Sequence, residues 1–296
     1  MTRTGSTVLF LILSIAVMGL VQGCAEAAGA RFEPADGKTL LIVGQSVEDI
    51  QAYLDAAQVV PGGLMAYTST QQGEGLDQPF NEGDGTQLAQ KLVDAHPNTV
   101  LQLALYMVDD CYAVAHGDRD AAIDRLGDWI RRTQRPVFLR VGYEFDGPFN
   151  HYPPQEYVQA WRHLVDRFRK RGVKNVAYVW HSYASRITQP LSDWYPGDEY
   201  VDWVGISYFN QPQYFMQPVA DFAAQHAKPV MICESSPWGV QTQYANAWNL
   251  WFVPLFKFIA PITLKRFAIS TATGMRPGNL RMSIGAKPGC RPMRRF

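Results

Sequence analysis

Two short stretches of the sequence end in the same way, with a glutamate after an apolar run. Each run begins at a proline and carries no charge: Pro136 to Leu139 lie before Glu144, and Pro229 to Cys233 lie before Glu234. Runs of this kind, rich in β-branched and aromatic residues, are typical of buried strands. A carboxyl at the end of such a strand is partly desolvated yet can still reach a substrate, so its pKa can suit acid–base catalysis. The pattern therefore predicts two carboxyls on one face of a sheet.

Arg140 places a positive charge close to the first of these carboxyls. Because side chains alternate along a strand, Arg140, Gly142 and Glu144 are expected on the same side. A structural salt bridge is the alternative interpretation of a strand-end glutamate, since ion-pair networks also perturb carboxyls. The repetition of the pattern at Glu234 favours the catalytic interpretation.

Composition and charge exclude some classes of function. The chain has 296 residues, 47% hydrophobic and 12% aromatic, which is enough for one large domain with a substantial core. Lysine plus arginine and aspartate plus glutamate both number 27, so the net charge is zero and no basic stripe is present for nucleic acid. No spacing typical of a metal site and no serine-nucleophile elbow occurs. We therefore expect no nucleic-acid partner, no metal and no cofactor, and we expect a monomer.

Short apolar runs alternate with amphipathic ones from about Lys38 onward. The runs expected to be strands are Leu40 to Gly44, Gly63 to Tyr67, Thr99 to Met107, Pro136 to Glu144, Val176 to Trp180, Val201 to Tyr208 and Pro229 to Glu234. Repeated strand-then-helix units imply a parallel sheet. Seven units, with room for one more, predict an α/β fold, a (β/α)8 TIM barrel over residues 38–260, with catalytic groups at the C-terminal ends of the strands. A doubly wound open sheet is the alternative, but no Gly-rich phosphate-binding motif follows the first strand.

The N-terminus has the pattern of an export signal. Arg3 supplies the positive end, and the apolar run from Val8 to Val21 is too short to span a bilayer. The sequence Val21 to Cys24 then resembles a bacterial lipobox, which predicts a signal peptide over residues 1–24, lipidation of Cys24 and a linker over 25–37. Cleavage after Ala25 to Ala27 or nearby is the alternative. We expect an exported protein, either lipid-anchored in the cell envelope or secreted, whose one membrane contact is the lipid.

Several of these motifs together resemble glycoside hydrolase family 26. The resemblance rests on Arg140 four residues before Glu144, on the Gly147 loop, on the run Tyr195 to Gly205 and on Glu234 at the end of the seventh strand. It covers roughly Leu40 to Phe258. The family belongs to a clan of retaining (β/α)8 enzymes, so the resemblance implies that Glu144 is the acid/base and Glu234 the nucleophile.

The resemblance implies an exported endo-acting hydrolase of a β-mannan, a β-xylan or a related β-glycan. Family mannanases usually have histidine just before the acid/base, where this sequence has Tyr143, so neither the sugar nor the linkage is implied. A nucleophile must stay ionised, and Arg140 and Tyr208 are predicted to donate hydrogen bonds to it. The predicted sugar-binding residues are Tyr143, Trp180, His181, Asn210, Trp238 and Gln45, each of which has a structural role as its alternative. A non-catalytic carbohydrate-binding barrel is the alternative function.

Residues 261–296 do not continue the barrel pattern. The family has an eighth strand that ends in a tryptophan, but this segment is rich in Arg, Gly, Pro and Met and has no periodicity. We therefore expect an aberrant tail, with the eighth strand missing or degraded. A frameshift explains it: suitable codons from Leu264 onward, read from one base earlier, give IKAFCYINCDWDA, and the same frame can give DWGETRVQANAAV near the end. Both segments resemble the family sequence, and a natural disordered tail is the alternative.

Overall fold

The computed structural model of the chain describes residues 30–35, 37–81, 85–241, 244, 246–262 and 267–272, and beyond residue 260 it describes the backbone alone. The predicted signal peptide, Cys24 and most of the predicted aberrant tail lie outside the described residues. No helix in the part of the chain that is described is long and apolar enough to cross a membrane.

Eight parallel strands close into one barrel, in which each strand pairs with the next along the chain and the last pairs with the first. The strands are β1 (Thr39–Gly44), β2 (Gly63–Ser69), β3 (Val100–Tyr106), β4 (Val137–Val141), β5 (Val176–Ser182), β6 (Trp203–Tyr208), β7 (Val230–Ser235) and β8 (Phe267–Ala272). A two-stranded hairpin, Phe80–Asn81 with Thr86–Gln87, follows β2. The predicted (β/α)8 fold class is confirmed.

Helices cover the outside of the barrel. They are α1 (Val47–Ala57), α2 (Ala89–Ala95), α3 (Cys111–Ala115), α4 (Asp120–Thr133), α5 (Pro154–Lys170), α6 (Gln213–Gln225) and α7 (Val253–Ile262). Short 3-10 helices lie at Leu191–Trp194 and Asp198–Tyr200, and a π-helix at Trp248–Phe252 leads into α7. Helix α5 shows why they pack there, because Tyr157, Trp161 and Leu164 lie on one face and are fully buried against the sheet.

The barrel interior and the layer under the helices have separate cores, because neighbouring residues of a strand face opposite ways. Phe138, Val179, Trp203 and Met231 are among the buried residues that fill the interior. On β4 the alternation places Phe138 and Arg140 inside the barrel, and it turns Leu139 outward into the main core under the helices. The interior is therefore closed by apolar side chains below and carries polar ones above.

The eighth position of the barrel is occupied by residues of the predicted tail. The backbone of β8 pairs with β1 along its whole length, from Thr39 opposite Phe267 to Gly44 opposite Ala272, and it also pairs with β7. Of the two expectations, a missing or a degraded eighth strand, the backbone excludes the first, because a segment of the predicted tail fills the position. Backbone hydrogen bonds do not depend on side-chain identity, and two open sheet edges would otherwise leave unpaired N–H and C=O groups. The sequence of β8 contains no tryptophan.

Candidate active site

Glu144 lies in a turn beyond β4 and not on the strand itself. The strand ends at Val141, and the backbone then becomes left-handed at Gly142 (φ 51°) and again at Glu144 (φ 53°). A Cβ on Gly142 would lie 2.7 Å from the ring of Tyr157, so the turn needs glycine there. The amide of Asn150 donates to the carbonyl oxygens of Tyr143 and Glu144, at 3.0 and 2.9 Å. The prediction that strand alternation alone aligns Glu144 with Arg140 is therefore wrong, because the turn does this.

Glu234 is part of β7 and accepts two hydrogen bonds on the same oxygen. The Arg140 guanidinium donates to Oε1 of Glu234, and the phenol of Tyr67 donates to the same atom at 2.8 Å. Only 7% of Glu234 is exposed. A buried carboxylate needs such donors, because an unpaired charge in the interior is very costly. The contact predicted between Arg140 and the second glutamate is confirmed.

Arg140, on β4, is fully buried and lies close to two aromatic rings. Its guanidinium carbon lies 5.4 Å from the ring centre of Tyr67 and 5.3 Å from that of Tyr143. Burial alone lowers the pKa of Arg140, but the neighbouring Glu234 carboxylate and other groups more than offset this, so the pKa is raised. The guanidinium is therefore a permanent cation beneath the site.

Glu144 has a different environment from Glu234. Its Oε1 accepts a hydrogen bond of 2.5 Å from the hydroxyl of Ser207, and only 3% of the residue is exposed. Burial, and after it the Glu234 carboxylate, raises the pKa of Glu144 well above its usual range, although the Ser207 bond opposes this rise. Glu234 thus contacts a cation directly, whereas Glu144 contacts a neutral hydroxyl. The environment of Glu144 therefore favours the protonated form of its carboxyl.

His181 connects these two environments. Its Nδ1 lies 3.3 Å from a guanidinium nitrogen of Arg140, and its Nε2 lies 2.9 Å from the hydroxyl oxygen of Ser207. Burial and then the Arg140 charge lower the pKa of His181 well below its usual range, so the ring is neutral. The predicted contact of His181 with sugar hydroxyls is not supported, because the side chain is fully buried beneath the carboxyls.

Two predicted site residues face away from the barrel interior. Trp180 is fully buried, stacks on Phe145 at 4.3 Å and donates to the carbonyl of Trp194 at 3.0 Å, so no ring face is available to a sugar. The hydroxyl of Tyr208 lies 3.4 Å from the carbonyl oxygen of Trp251 instead of contacting Glu234. Both predictions are wrong, because His181 and Ser207 occupy the inward positions and alternation turns their neighbours Trp180 and Tyr208 outward.

Sequence reasoning missed Tyr67 and Ser207. Both face inward near the C-terminal ends of their strands, where Tyr67 contacts Glu234 and Ser207 contacts Glu144. The register also pairs Ser207 with Glu234 across a bulge between β6 and β7. Strand alternation could have indicated both residues, if it had been applied to the polar and phenolic residues in the last few positions of each strand. Neither residue belongs to a longer motif.

Four loops at this end of the barrel each contribute one partly exposed aromatic ring. Phe149, Tyr183, Phe209 and Trp238 follow β4, β5, β6 and β7 in turn. Successive ring centres are 5.0, 6.0 and 6.3 Å apart. These four residues, which we call the aromatic arc, form a continuous row on the loops that follow β4 to β7. Trp238 is the one member that the sequence had suggested.

The remaining predicted residues lie at the same end of the barrel. Tyr143 is partly exposed and packs edge-on against Tyr67 at 5.5 Å. Asn210 is exposed, and its side-chain nitrogen lies 3.5 Å from the carbonyl oxygen of Trp238. Gln45 directly follows β1 and is partly exposed. Their sugar contacts stay predictions. Within the described residues, no group of three or more His, Cys, Asp or Glu side chains is arranged to hold a metal ion.

Comparison with known proteins supports the family indicated by these residues. The sequence profile of glycosyl hydrolase family 26 matches residues 90–235, a span that contains Glu144 and Glu234. A beta-1,3-xylanase from Alcaligenes sp and the beta-1,3-xylanase TXYA from Vibrio sp are each 32% identical over 84% of this chain. The alignments cover 58% and 59% of those proteins, so the chain spans less than two thirds of the length of either relative.

Solved structures of the same family share the fold. The GH26 beta-mannanase BoMan26A from Bacteroides ovatus has a TM-score of 0.59 and 17% identity, over 84% of this chain and 89% of that protein. GH26C from Muricauda sp. has a TM-score of 0.57 and 16% identity, over 84% and 86% of the two chains. At these identities the likeness shows the fold alone. The family profile over residues 90–235, the similar xylanases and the shared barrel together make this chain similar to the glycoside hydrolases of family 26.

Proposed function

We propose that the chain is a retaining enzyme in which Glu234 is the nucleophile and Glu144 is the general acid/base. The observation that carries this assignment is the contrast between the two carboxyls. Glu234 accepts from Arg140 and Tyr67, which stabilise a carboxylate, whereas burial favours the protonated form of Glu144. Retaining glycosidases need this division, with one group ionised and one carrying a proton.

The reaction then proceeds in two displacements. Glu234 attacks the anomeric carbon, and the bond to the leaving oxygen breaks as Glu144 gives that oxygen its proton. The oxygen of a water molecule next attacks the anomeric carbon while the ionised Glu144 takes a proton from that water, and the bond to Glu234 breaks so that Glu234 leaves as a carboxylate. Because both donors to Glu234 contact Oε1, we assign the attack to Oε2.

This mechanism requires the two carboxyl groups to be about 5–5.5 Å apart. Inverting enzymes place them about 6.5–9.5 Å apart, which leaves room for a water molecule. A crystal structure with a bound inhibitor would measure the separation directly. A distance in the longer range would contradict retention, and one beyond it would contradict the pairing itself.

We propose β-1,3-linked xylan as the first substrate to test. Both xylanases that are similar to this chain at 32% identity carry that activity in their names, while the mannanase structures are similar at 17% or less. Tyr143, where family mannanases usually have histidine, agrees with a substrate other than mannan. β-Mannan and other β-xylans remain the comparison substrates.

The aromatic arc supports cleavage within a polymer instead of at its end. Its four rings extend from the loop that follows Glu144 to the loop that follows Glu234. Aromatic faces suit the apolar faces of sugar rings, and a continuous row of them fits several consecutive sugars. Products of intermediate length early in the digestion would support this, and release of single sugars alone would contradict it.

The decisive experiment is the incubation of purified protein with β-1,3-xylan, β-1,4-xylan and β-mannan. Proton NMR of the first product reports its anomeric configuration, and we expect the configuration of the substrate to be retained. Glu234→Gln should abolish turnover but not oligosaccharide binding. Glu144→Ala should keep activity on aryl glycosides whose leaving group needs no proton, and azide should then yield a glycosyl azide. Glu199→Gln, at an exposed site, is the matched control.

A glycan-binding barrel without turnover is the second candidate. The observation that favours it is the sequence of β8, which lacks the tryptophan that the family resemblance implies. Binding of xylo-oligosaccharides by a folded protein that yields no product on any of the polymers would establish this second function and overturn the first.

We also propose that the protein is exported and anchored through lipidated Cys24. The support is the sequence alone: a positively charged start, the apolar run from Val8 to Val21, and the lipobox-like residues before Cys24. The protein should then partition with membranes, and Cys24→Ser should release it into the soluble fraction. Partitioning that does not change in Cys24→Ser would favour ordinary signal-peptide cleavage.

A further inference from the structure

The two carboxyls are joined by an unbroken chain of buried hydrogen bonds. Arg140 contacts Glu234 and also His181 Nδ1, His181 Nε2 contacts the Ser207 hydroxyl, and Ser207 contacts Oε1 of Glu144. Arg140, His181 and Ser207 are all fully buried. The chain is therefore shielded from water, and its groups must satisfy one another.

The chemistry of the groups fixes the direction of these bonds. A guanidinium can only donate, so Nδ1 of His181 must be the acceptor and the ring proton must be on Nε2. This Nε2–H donates to the oxygen of Ser207, which leaves the single hydroxyl hydrogen of Ser207 free to point at Glu144 Oε1. A cationic His181 does not fit, because an N–H on Nδ1 would then face the Arg140 guanidinium.

We propose that His181 and Ser207 are positioning residues that keep the catalytic proton on Oε2 of Glu144. The proposal rests on the function proposed above, in which Glu144 is the general acid. Because Oε1 always accepts from Ser207, the proton of the acid form is held on the other oxygen, in one orientation toward the leaving group. The same bond then stabilises the carboxylate that must act as base in the second step.

The packing around His181 is consistent with a required position. Gly205 lies opposite His181 in the register of β5 and β6. A Cβ on Gly205 would lie 2.5 Å from the sulfur of Cys233 and 3.0 Å from the Cβ of His181. Only glycine therefore allows β6 to approach the imidazole, which brings Ser207, two residues along, within reach of Nε2.

Other titratable groups near Glu144 also influence its protonation, so a test variant must leave those groups and their charges unchanged. The titratable or charged groups that face Glu144 and His181 are Glu234, Arg140, Asp146, Cys233 and Tyr152. Ser207 and His181 are not charged, so their replacement leaves the net charge of the site unchanged. A change in the pH profile of such a variant then reports the hydrogen bonds and not a lost charge.

The tautomer of His181 can be measured without any activity. In the full chain labelled with 15N-histidine, the signal lost in His181→Phe identifies this residue among the six histidines. We expect a protonated Nε2, an unprotonated Nδ1 and no titration across the range in which the protein is folded. Protonation on Nδ1, or a cationic ring near neutral pH, overturns the proposal even if the enzyme is active.

The role of Ser207 is tested by the pH dependence of kcat/KM. The hydrogen bond from Ser207 lowers the pKa of Glu144, so Ser207→Ala should raise that pKa. The fall of kcat/KM at alkaline pH (the alkaline limb), which reports the loss of the proton from Glu144, should then move to higher pH. Ser207→Thr keeps a hydroxyl and should restore the original limb. A residue with a merely structural role would lower kcat at all pH values without moving the limb, and that result overturns the proposal.

A double variant tests whether His181 acts through Ser207. His181→Phe should move the alkaline limb in the same direction as Ser207→Ala, because Ser207 then loses the donor that orients its hydroxyl. In the double variant, His181→Phe should add no further shift to that of Ser207→Ala. Additive shifts would overturn the proposal that His181 acts through Ser207. If the protein has the expected His181 tautomer but hydrolyses no substrate, that result counts against the proposed function and not against the positioning of the proton.

Discussion

At the scale of single residues, the protonation of each buried carboxyl depends on how many hydrogen-bond donors it has and on whether those donors are charged. Glu234 accepts from a guanidinium and a phenol, while the contact described for Glu144 is a single hydroxyl. Two like charges this deeply buried would be unfavourable together, so a site with one ionised and one protonated carboxyl is the stable arrangement. Two predictions follow from this difference.

The first prediction concerns Tyr67, the donor that the sequence did not indicate. Burial, and then the Glu234 carboxylate, raises the pKa of Tyr67 well above its usual range, so the phenol stays a donor at every working pH. Tyr67→Phe removes a bond to a charged group and should lower the free energy of unfolding by about 1.5–3 kcal/mol. Urea unfolding measures the change, and Tyr112→Phe, with 59% exposure, is the control. Equal stabilities of the two variants would show that this bond has no net effect.

The second prediction concerns the pH dependence of stability through Glu144. Its pKa is raised in the folded state, so the folded protein keeps a proton that the unfolded chain releases above about pH 4.3. The contribution of Glu144 to the free energy of unfolding is therefore fully present at low pH, and it is lost as the pH rises toward the folded-state pKa. Glu144→Gln lacks this loss, so its unfolding free energy relative to wild type should increase between about pH 4.3 and pH 7. A constant difference over that range would contradict a raised pKa.

At the scale of elements, the sequence indicates the strands better than it indicates what happens at their ends. The apolar runs before Glu144 and Glu234 correspond to β4 and β7, because buried strands require such residues. The turn that aims Glu144 depends on backbone angles at Gly142 and Glu144, which composition does not reveal. Trp180 looked available because only the end of its strand was considered, whereas strand alternation turns its side chain outward into the core under the helices.

The turn after β4 gives the third prediction. Gly142→Ala places a Cβ 2.7 Å from Tyr157 and 3.0 Å from Met107, in a left-handed conformation that disfavours alanine. We expect a loss of at least about 1–3 kcal/mol of unfolding free energy and a fall in turnover as Glu144 moves. Gly172→Ala is the matched control, because its φ is also positive, at 69°, and nothing lies within 4 Å of the added carbon.

Urea unfolding and turnover of the two glycine variants separate the contributions. The Gly172 variant should lose only the backbone cost of about 1–2 kcal/mol and keep full turnover. If both variants lose the same stability and the same turnover, then the close contact with Tyr157 does not position Glu144.

At the scale of the whole molecule, closure of the barrel connects the last strand to the site. The strand β8 lies between β7, which carries Glu234, and β1, which leads to Gln45. Strand β8 therefore ends, at Ala272, at the same end of the barrel as Glu234. The sequence alone did not show that Phe267–Ala272 would fill this place, because pairing depends on backbone hydrogen bonds and the run is short.

The fourth prediction concerns the reading frame of the tail. In the shifted frame the segment IKAFCYINCDWDA places its tryptophan over Thr273 and Gly274, just past the end of β8. That is the end of the barrel at which Glu234 lies, and an aromatic ring there can pack against a sugar bound at the carboxyls. We therefore propose that the chain as written is weakly stable and weakly active or inactive, and that the restored frame recovers both properties.

Sequencing the gene around Ala260 to Leu264 tests the frame, because codons that cannot yield the shifted segment would end the proposal. Expression of the restored chain beside the chain as written tests its consequence, with far-UV circular dichroism to compare the barrels and thermal unfolding to compare their stability. We expect similar spectra, since Phe267–Ala272 already supplies an eighth strand to the backbone. The restored chain should unfold at a higher temperature and hydrolyse β-1,3-xylan faster. Full stability and turnover in the chain as written would show that its own tail is sufficient.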